Sequence, residues 1–144
     1  MSKVSDVYLA GGCLCGAVRY QIKGSFEDVG FCHCSLCRKA SGSPTTAWLT
    51  TDISNFQYTE GKPASYQSSA VGRREFCHNC GTQLAFYTSE APNAVDITLG
   101  SLDEPEAVQP QYHIWCEYKV GWLSIADGLP RFDDAGPDGV SPRE

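Results

Sequence analysis

Cysteine placement constrains this chain more than any other feature. Seven of its eight cysteines fall in three short clusters: Cys13 and Cys15; Cys32, Cys34 and Cys37; Cys77 and Cys80. Cys116 stands apart. An even cysteine count suits a disulfide framework in an oxidising compartment, whereas clustered reduced thiols suit a metal. Residues 1–10 carry one lysine and no continuous apolar stretch, so no signal peptide is expected. The thiols are then expected to stay reduced, in the cytoplasm. A chain of 144 residues makes one domain. No apolar run approaches the roughly 20 residues of a membrane helix. A net charge of −6 disfavours phosphate backbones as partners. Neither membrane spanning nor nucleic-acid binding is expected.

Strand signals dominate the remainder. Segment 17–23 alternates with period two and puts Val18, Tyr20 and Ile22 on one face. Segments 45–51, 56–59, 76–77, 84–87, 95–99 and 113–115 are short and rich in β-branched or aromatic residues, with Gly and Pro between them. Helix signals are few. Ser35 is placed to cap one or two turns over 36–40, ended by Gly42. A second short turn is expected at 102–104. The prediction is a mostly β, mostly antiparallel single domain, stapled by zinc, with short helical turns.

The clusters differ in their chemistry. Cys77-His78-Asn79-Cys80-Gly81 has the spacing of a zinc knuckle, and its glycine lets the backbone turn back without a Cβ clash. Cys13-Leu14-Cys15-Gly16 also ends in glycine, and on a strand both thiols would share a face. These two pairs make a natural closed Cys₄ site. Cys32, Cys34 and Cys37 form a set of three that can converge where a strand ends and a helix begins. Three ligands and a vacant position is the layout of a reactive zinc; four is that of a structural one. A helix N-terminus with Arg38 and Lys39 nearby would help hold these thiols as thiolates. A rival pairing joins Cys34 and Cys37 to Cys77 and Cys80 as a zinc ribbon, leaving Cys13, Cys15 and Cys32 as the open set. Spacing alone leaves both standing.

Zinc bound by three thiolates keeps one net negative charge, so it is a weak activator of water and suits a soft fourth ligand. A substrate thiol fits best. Held as a thiolate, it adds to an aldehyde to give a hemithioacetal, and the reverse reaction cleaves a carbon–sulfur bond.

The motifs resemble one family, the glutathione-dependent formaldehyde-activating enzymes and their relatives that include centromere protein V. The resemblance is carried by residues 12–20, by Cys32-His33-Cys34-Ser35-Leu36-Cys37-Arg38-Lys39, by Arg74-Glu75-Phe76-Cys77-His78-Asn79-Cys80-Gly81, and by His113-Ile114-Trp115 with Leu129-Pro130-Arg131-Phe132. It covers residues 11–133, taken as the domain. Residues 1–10 are then a lead-in, and 134–144, rich in acids and turn formers, a flexible tail. The resemblance implies a zinc-bearing β-tent with two zinc ions. Cys13, Cys15, Cys77 and Cys80 match the structural ligands. Cys32, Cys34 and Cys37 match the catalytic ligands, the fourth position being exchangeable. The implied activity is carbon–sulfur lyase, on a small thiol or thiol–aldehyde adduct such as S-hydroxymethylglutathione. A non-catalytic zinc module that binds a macromolecule is the alternative. A thiol-redox protein is a third, disfavoured by the lack of a βαβ pattern.

Other residues carry smaller expectations. His33 is a candidate proton shuttle or structural hydrogen-bonding group, and His113 a candidate for lining the cleft. His78 is expected to be exposed. Arg38, Lys39, Arg73 and Arg74 are candidates for gripping glutathione's carboxylates. Cys116 is read as a small buried hydrophobe rather than a ligand. Trp48, Trp115 and Trp122 are read as core, and Asp127-Gly128 as a turn.

Overall fold

The computed structural model describes residues 8–138. The expectations for residues 1–7 and 139–144 lie outside these. Among the described residues, ten strands and one α-helix follow in chain order. They are β1 (Tyr8–Gly12), β2 (Arg19–Lys23), β3 (Phe26–Cys32), α1 (Ser35–Ser41), β4 (Thr46–Asp52), β5 (Phe56–Glu60), β6 (Ala64–Gln67), β7 (Gly72–Phe76), β8 (Gln83–Thr88), β9 (Ala94–Thr98) and β10 (His113–Ile114). The protein is mostly β, as its sequence predicts.

Two sheets build the domain. A small one runs β1-β2-β5, and a large one runs β10-β3-β4-β9-β8-β7-β6. All pairings between these strands are antiparallel except β10 with β3. The small sheet turns Val18, Tyr20 and Ile22 inward, the face its alternation marks. They meet one face of the large sheet, where Leu49, Ile97 and Ala85 stand opposite each other on β4, β9 and β8, all fully buried.

Moving one residue along each strand reaches the other face. There the register aligns Thr50 (β4), Asp96 (β9), Phe86 (β8) and Arg74 (β7) in one cross-strand row. A second apolar cluster covers this face, and it includes Cys32, Cys34, Cys37, Trp48, Phe86 and Ile114. The sheet thus has a core face and a site face.

Three strands, β1, β3 and β6, were not among the expected segments. In β3 the register shifts between Glu27 and Gly30, and Asp28 sits at φ 53°. This irregularity breaks the period-two pattern that marks a strand. β6 is an edge strand and mostly exposed, so it carries little apolar signal. β7 begins earlier than expected and stops at Phe76, leaving Cys77 in the following turn. The turn expected at 102–104 is displaced. Short 3₁₀ turns occupy Leu99–Ser101 and Pro105–Ala107 instead. Leu102 bridges to Gly11, and the Asp103 N–H donates to the Ala10 carbonyl. Pairing with β1 therefore holds these residues extended.

The helix expectation shifts by one residue. Cys34, not Ser35, is the N-cap: its Sγ accepts the Cys37 N–H at 3.2 Å. Gly42 ends the helix at φ 73°, in the left-handed conformation. Among the described residues no helix is long and apolar enough to cross a membrane.

Ile97 packs on the core face directly behind the site row. Ile97→Ala is expected to lower stability by about 2–5 kcal/mol, as cavity-forming substitutions do, read from the midpoint and slope of urea unfolding.

Candidate functional site

The structure gathers seven cysteines into two groups. Within each group the sulfurs all lie within 4.8 Å of one another: Cys13, Cys15, Cys77 and Cys80 in one, Cys32, Cys34 and Cys37 in the other. The ribbon pairing of Cys34 and Cys37 with Cys77 and Cys80 is not formed.

Two turns build the four-sulfur group. Cys13 and Cys15 sit in the β1–β2 turn rather than on a strand, and Cys77 and Cys80 sit in the β7–β8 turn. Gly16 at φ 83° and Gly81 at φ 81° close these turns in a conformation that favours glycine. The Cys13–Cys15 and Cys15–Cys77 sulfurs are 3.6 and 3.8 Å apart. Tetrahedral Zn–S bonds of about 2.3 Å place sulfurs roughly 3.8 Å apart, so the group fits that ion. N–H groups aim at the sulfurs as they do at thiolates. Val18 donates to Cys13 at 3.2 Å, and Asn79 Nδ2 donates to Cys15 at 3.3 Å. The Thr82 hydroxyl beside Cys80 pulls that thiol down to about 5. His78 is exposed, as expected.

The three-sulfur group lies where β3 ends and α1 begins, and all three cysteines are buried. Cys32 and Cys34 point one way, as alternate residues of an extended segment do. The Cys32 and Cys37 thiols beside Cys34, followed by the Cys37 backbone N–H and the Arg74 charge, hold it far below the ordinary thiol value. Arg74 is a functional candidate of a different kind from the one its sequence suggests. It is buried, and its Nη2 donates to Cys37 Sγ at 3.6 Å. Its other donors go to Ser68 and Gln83, and its guanidinium lies 4.8 Å over the Phe86 ring. Arg73 is also committed, to Glu75 and to the Tyr87 ring. Both arginines are thus already engaged by groups of the protein itself.

His33 points away from the sulfurs and is fully buried. Its Nε2 is 2.8 Å from His113 Nδ1, and His113 Nε2 is 2.7 Å from Asp127 Oδ2. Burial, with His113 beside it, pushes His33 down to about 4, so it is neutral at neutral pH. The ionised Asp127 accepts the hydrogen bond from His113 Nε2–H. His33 Nδ1, the other ring nitrogen, is buried without a hydrogen-bond partner. His113 is buried, and parallel pairing with β3 turns it onto Phe31, 4.8 Å away and stacked. Asp127 is part of this chain as well as of a turn, in which it accepts the Leu129 N–H. Cys116 joins neither sulfur group.

A cavity of about 40 Å³ opens beside Cys32 and Cys37. By that measure one water needs about 10–15 Å³, so the space suits a very small group. Trp48, Phe86, Ile114 and Trp115 wall it. Gly30 is required there, since a Cβ would come within 2.6 Å of the Tyr112 ring. Reading the tryptophans as core holds for Trp48 and needs correction for Trp122. Trp48 is buried but lines the cavity, Trp115 is a wall held at φ 57°, and Trp122 is exposed. The cavity continues past Asp28, Thr50, Phe86 and Asp96 into a groove of about 210 Å³. Asp96 accepts the Thr50 hydroxyl at 2.7 Å, and burial, with Asp28 nearby, pushes its carboxyl up to about 6. Sequence patterns alone do not single out Asp96. Its one signal was a lone acid between the apolar residues of a buried strand.

The sequence profile of the glutathione-dependent formaldehyde-activating enzymes matches residues 8–118. The chain belongs to this family. A Halomonas elongata protein named for the same family is 29% identical over 126 residues, covering 81% of this chain and 80% of that one. An uncharacterized lyase of Schizosaccharomyces pombe is 34% identical over 83 residues, 58% of this chain and 60% of that protein's length. A Rhodobacter sphaeroides crystal structure superposes with a TM-score of 0.56 at 24% identity, covering 70% of this chain and 91% of that one, and shares the fold.

The Asp96 carboxyl has a folded-state pKa raised above its unfolded value of 3.8. Its contribution to stability is therefore fully present below pH 3.8 and is lost as pH rises through about 6. Asp96→Asn removes this half-buried charge. It is expected to raise stability at pH 7 by roughly 1–3 kcal/mol, with the gain shrinking toward pH 4, as measured by urea unfolding at a series of pH values.

Proposed function

We propose that this protein is a carbon–sulfur lyase for thiol–aldehyde adducts such as S-hydroxymethylglutathione. In this reading Cys32, Cys34 and Cys37 hold a catalytic zinc, and Cys13, Cys15, Cys77 and Cys80 hold a structural one. One observation carries it. Three buried sulfurs converge at the end of a small cleft with no fourth cysteine among the described residues, while four converge between two turns elsewhere. The family match, and the lyase name borne by one relative, support the same activity class. A zinc ion bound at the three-sulfur group supplies a soft Lewis-acid position that favours the substrate sulfur as a thiolate.

The chain's own residues do the rest. The Arg74 guanidinium and the Cys37 N–H stabilise negative charge on the sulfurs of Cys37 and Cys34. The walls formed by Trp48, Phe86, Ile114 and Trp115 exclude bulk water from a reacting carbon. If glutathione is the thiol, its body runs along the groove. Arg38, half-buried with an unpartnered Nε, and Lys39 remain the candidates for its carboxylates.

Position separates the two sulfur groups. The first ties together turns 62 residues apart, as Cys15 to Cys77 shows, whereas the second spans six residues and closes almost no loop. Cys80→Ser is expected to lose metal and become molten or insoluble, since structural zinc is folding energy. Cys34→Ser is expected to stay β-rich with about one zinc per chain and to lose turnover of hydroxymethyl thiols. Zinc content, circular dichroism and turnover of a panel of thiol–aldehyde adducts decide between them. Equal unfolding of both variants would overturn the structural and catalytic assignment. Failure of the wild type to cleave any adduct would overturn the lyase reading.

A further inference from the structure

We propose that Asp96 is the proton-transfer residue of this cleft, taking the hydroxyl proton of the adduct as the carbon–sulfur bond breaks and returning it in the reverse addition. This rests on the lyase reading above.

The geometry comes from the cross-strand row. Thr50, Asp96, Phe86 and Arg74 stand side by side on β4, β9, β8 and β7. Neighbouring strands are about 4.8 Å apart. Arg74 reaches Cys37 Sγ while its guanidinium lies over Phe86. The sulfur end and the carboxylate end of the row therefore flank a single aromatic ring. One small cavity touches Cys32, Cys37, Phe86 and Asp96 together. A sulfur placed among the three cysteines leaves space there for a carbon and an oxygen, and the oxygen is the atom that must lose a proton.

The bond changes define what that group must do. In the cleavage direction the O–H bond breaks and its electron pair becomes the second carbon–oxygen bond. The carbon–sulfur bond breaks, and its pair leaves with sulfur as a thiolate. The proton rests on the Asp96 carboxylate and then leaves for solvent through the groove. Nothing is oxidised or reduced. In the addition direction the same carboxyl protonates the aldehyde oxygen as sulfur attacks.

Other titratable groups suit this task less well. His33 and His113 are buried behind the sulfurs and line neither the cavity nor the groove. Glu27 lines the groove but not the cavity. Asp28 lines both, but it lies in the irregular part of β3. Asp96 sits on a regular strand with the Thr50 hydroxyl donating to it, which fixes its orientation. Four elements face it. Asp28 on β3 raises its pKa by like charge, Arg74 on β7 lowers it, Thr50 on β4 lowers it by donating, and Phe86 on β8 contributes apolar cover. The result, about 6, lies close to neutral pH, where a general base is most effective.

The test compares zinc-loaded wild type, Asp96→Asn and Asp28→Asn, with S-hydroxymethyl thiols as substrates. Asp96→Asn is expected to lower kcat by about 10²–10⁴-fold, with unchanged zinc content and an unchanged thiol-binding spectrum in the cobalt-substituted protein. Its rate profile should also lack the acid limb expected of the wild type near pH 6. Asp28→Asn should move that limb to lower pH. A second readout does not depend on turnover. In ¹³C NMR of wild type labelled at aspartate, one carboxyl should titrate near pH 6 and shift when adduct is added. This readout decides the matter if Asp96→Asn does not fold, and absence of such a resonance overturns the proposal. An Asp96→Asn enzyme within about threefold of wild type, well short of a general base's contribution, and with the limb retained, overturns Asp96's role while leaving the lyase reading intact. A wild type that cleaves no adduct overturns both.

Discussion

The period-two alternation of β4, β8 and β9 is the constraint on which the rest of this molecule depends. On each of these strands one residue faces the small sheet and the next faces the cysteines. Leu49, Ala85 and Ile97 go to the core, while Thr50, Phe86 and Asp96 go to the cleft. A slip of one residue in any of these pairings would bury Asp96 in the core and expose Ile97. The apolar core therefore fixes the register, and the register fixes which polar groups meet the sulfurs. Stability and site geometry are set by the same hydrogen-bond ladder.

The two sulfur groups use that frame differently. One gathers side chains from two turns that the sheets bring together, and its N–H donors come from Val18 and Asn79 near those turns. The other is nearly local, within one strand end and one helix start, and it depends on distant residues only for its surroundings. Arg74 reaches it from β7, Trp48 from β4, and the His33–His113–Asp127 chain lies behind it. Cys34 has a double role, as a member of the sulfur cluster and as the cap of α1. Charge on its sulfur is thus favoured by the first turn of the helix it starts.

Half-burying an acid beside a second acid runs against stability, and the site face does this with Asp96 and Asp28. Proteins commonly accept such a cost where the shifted group has chemical work to do. The same face spends a positive-φ tryptophan, Trp115, on a cavity wall. Both features are concentrated around 40 Å³ of space next to three cysteines.

The sequence by itself determined the β class, the inward face of β2 and the three cysteine clusters, because alternation and ligand spacing are local properties of the chain. It marked Gly16 and Gly81 as turn residues for the same reason. It missed β3, whose irregularity erases the alternation, and β6, whose exposure leaves no apolar mark. It named Cys34 and Arg74 but not what they do, since capping and donation to a sulfur depend on atoms brought near by folding. Only the tertiary structure decided that Cys13 and Cys15 meet Cys77 and Cys80, that Arg74 and Arg73 are already engaged, and that Asp96 shares a cavity with Cys32 and Cys37. Apart from the Arg73–Glu75 pair, these contacts join residues well separated in the chain. Strand register, a property of pairs of strands, sets them, and it cannot be read from one strand alone.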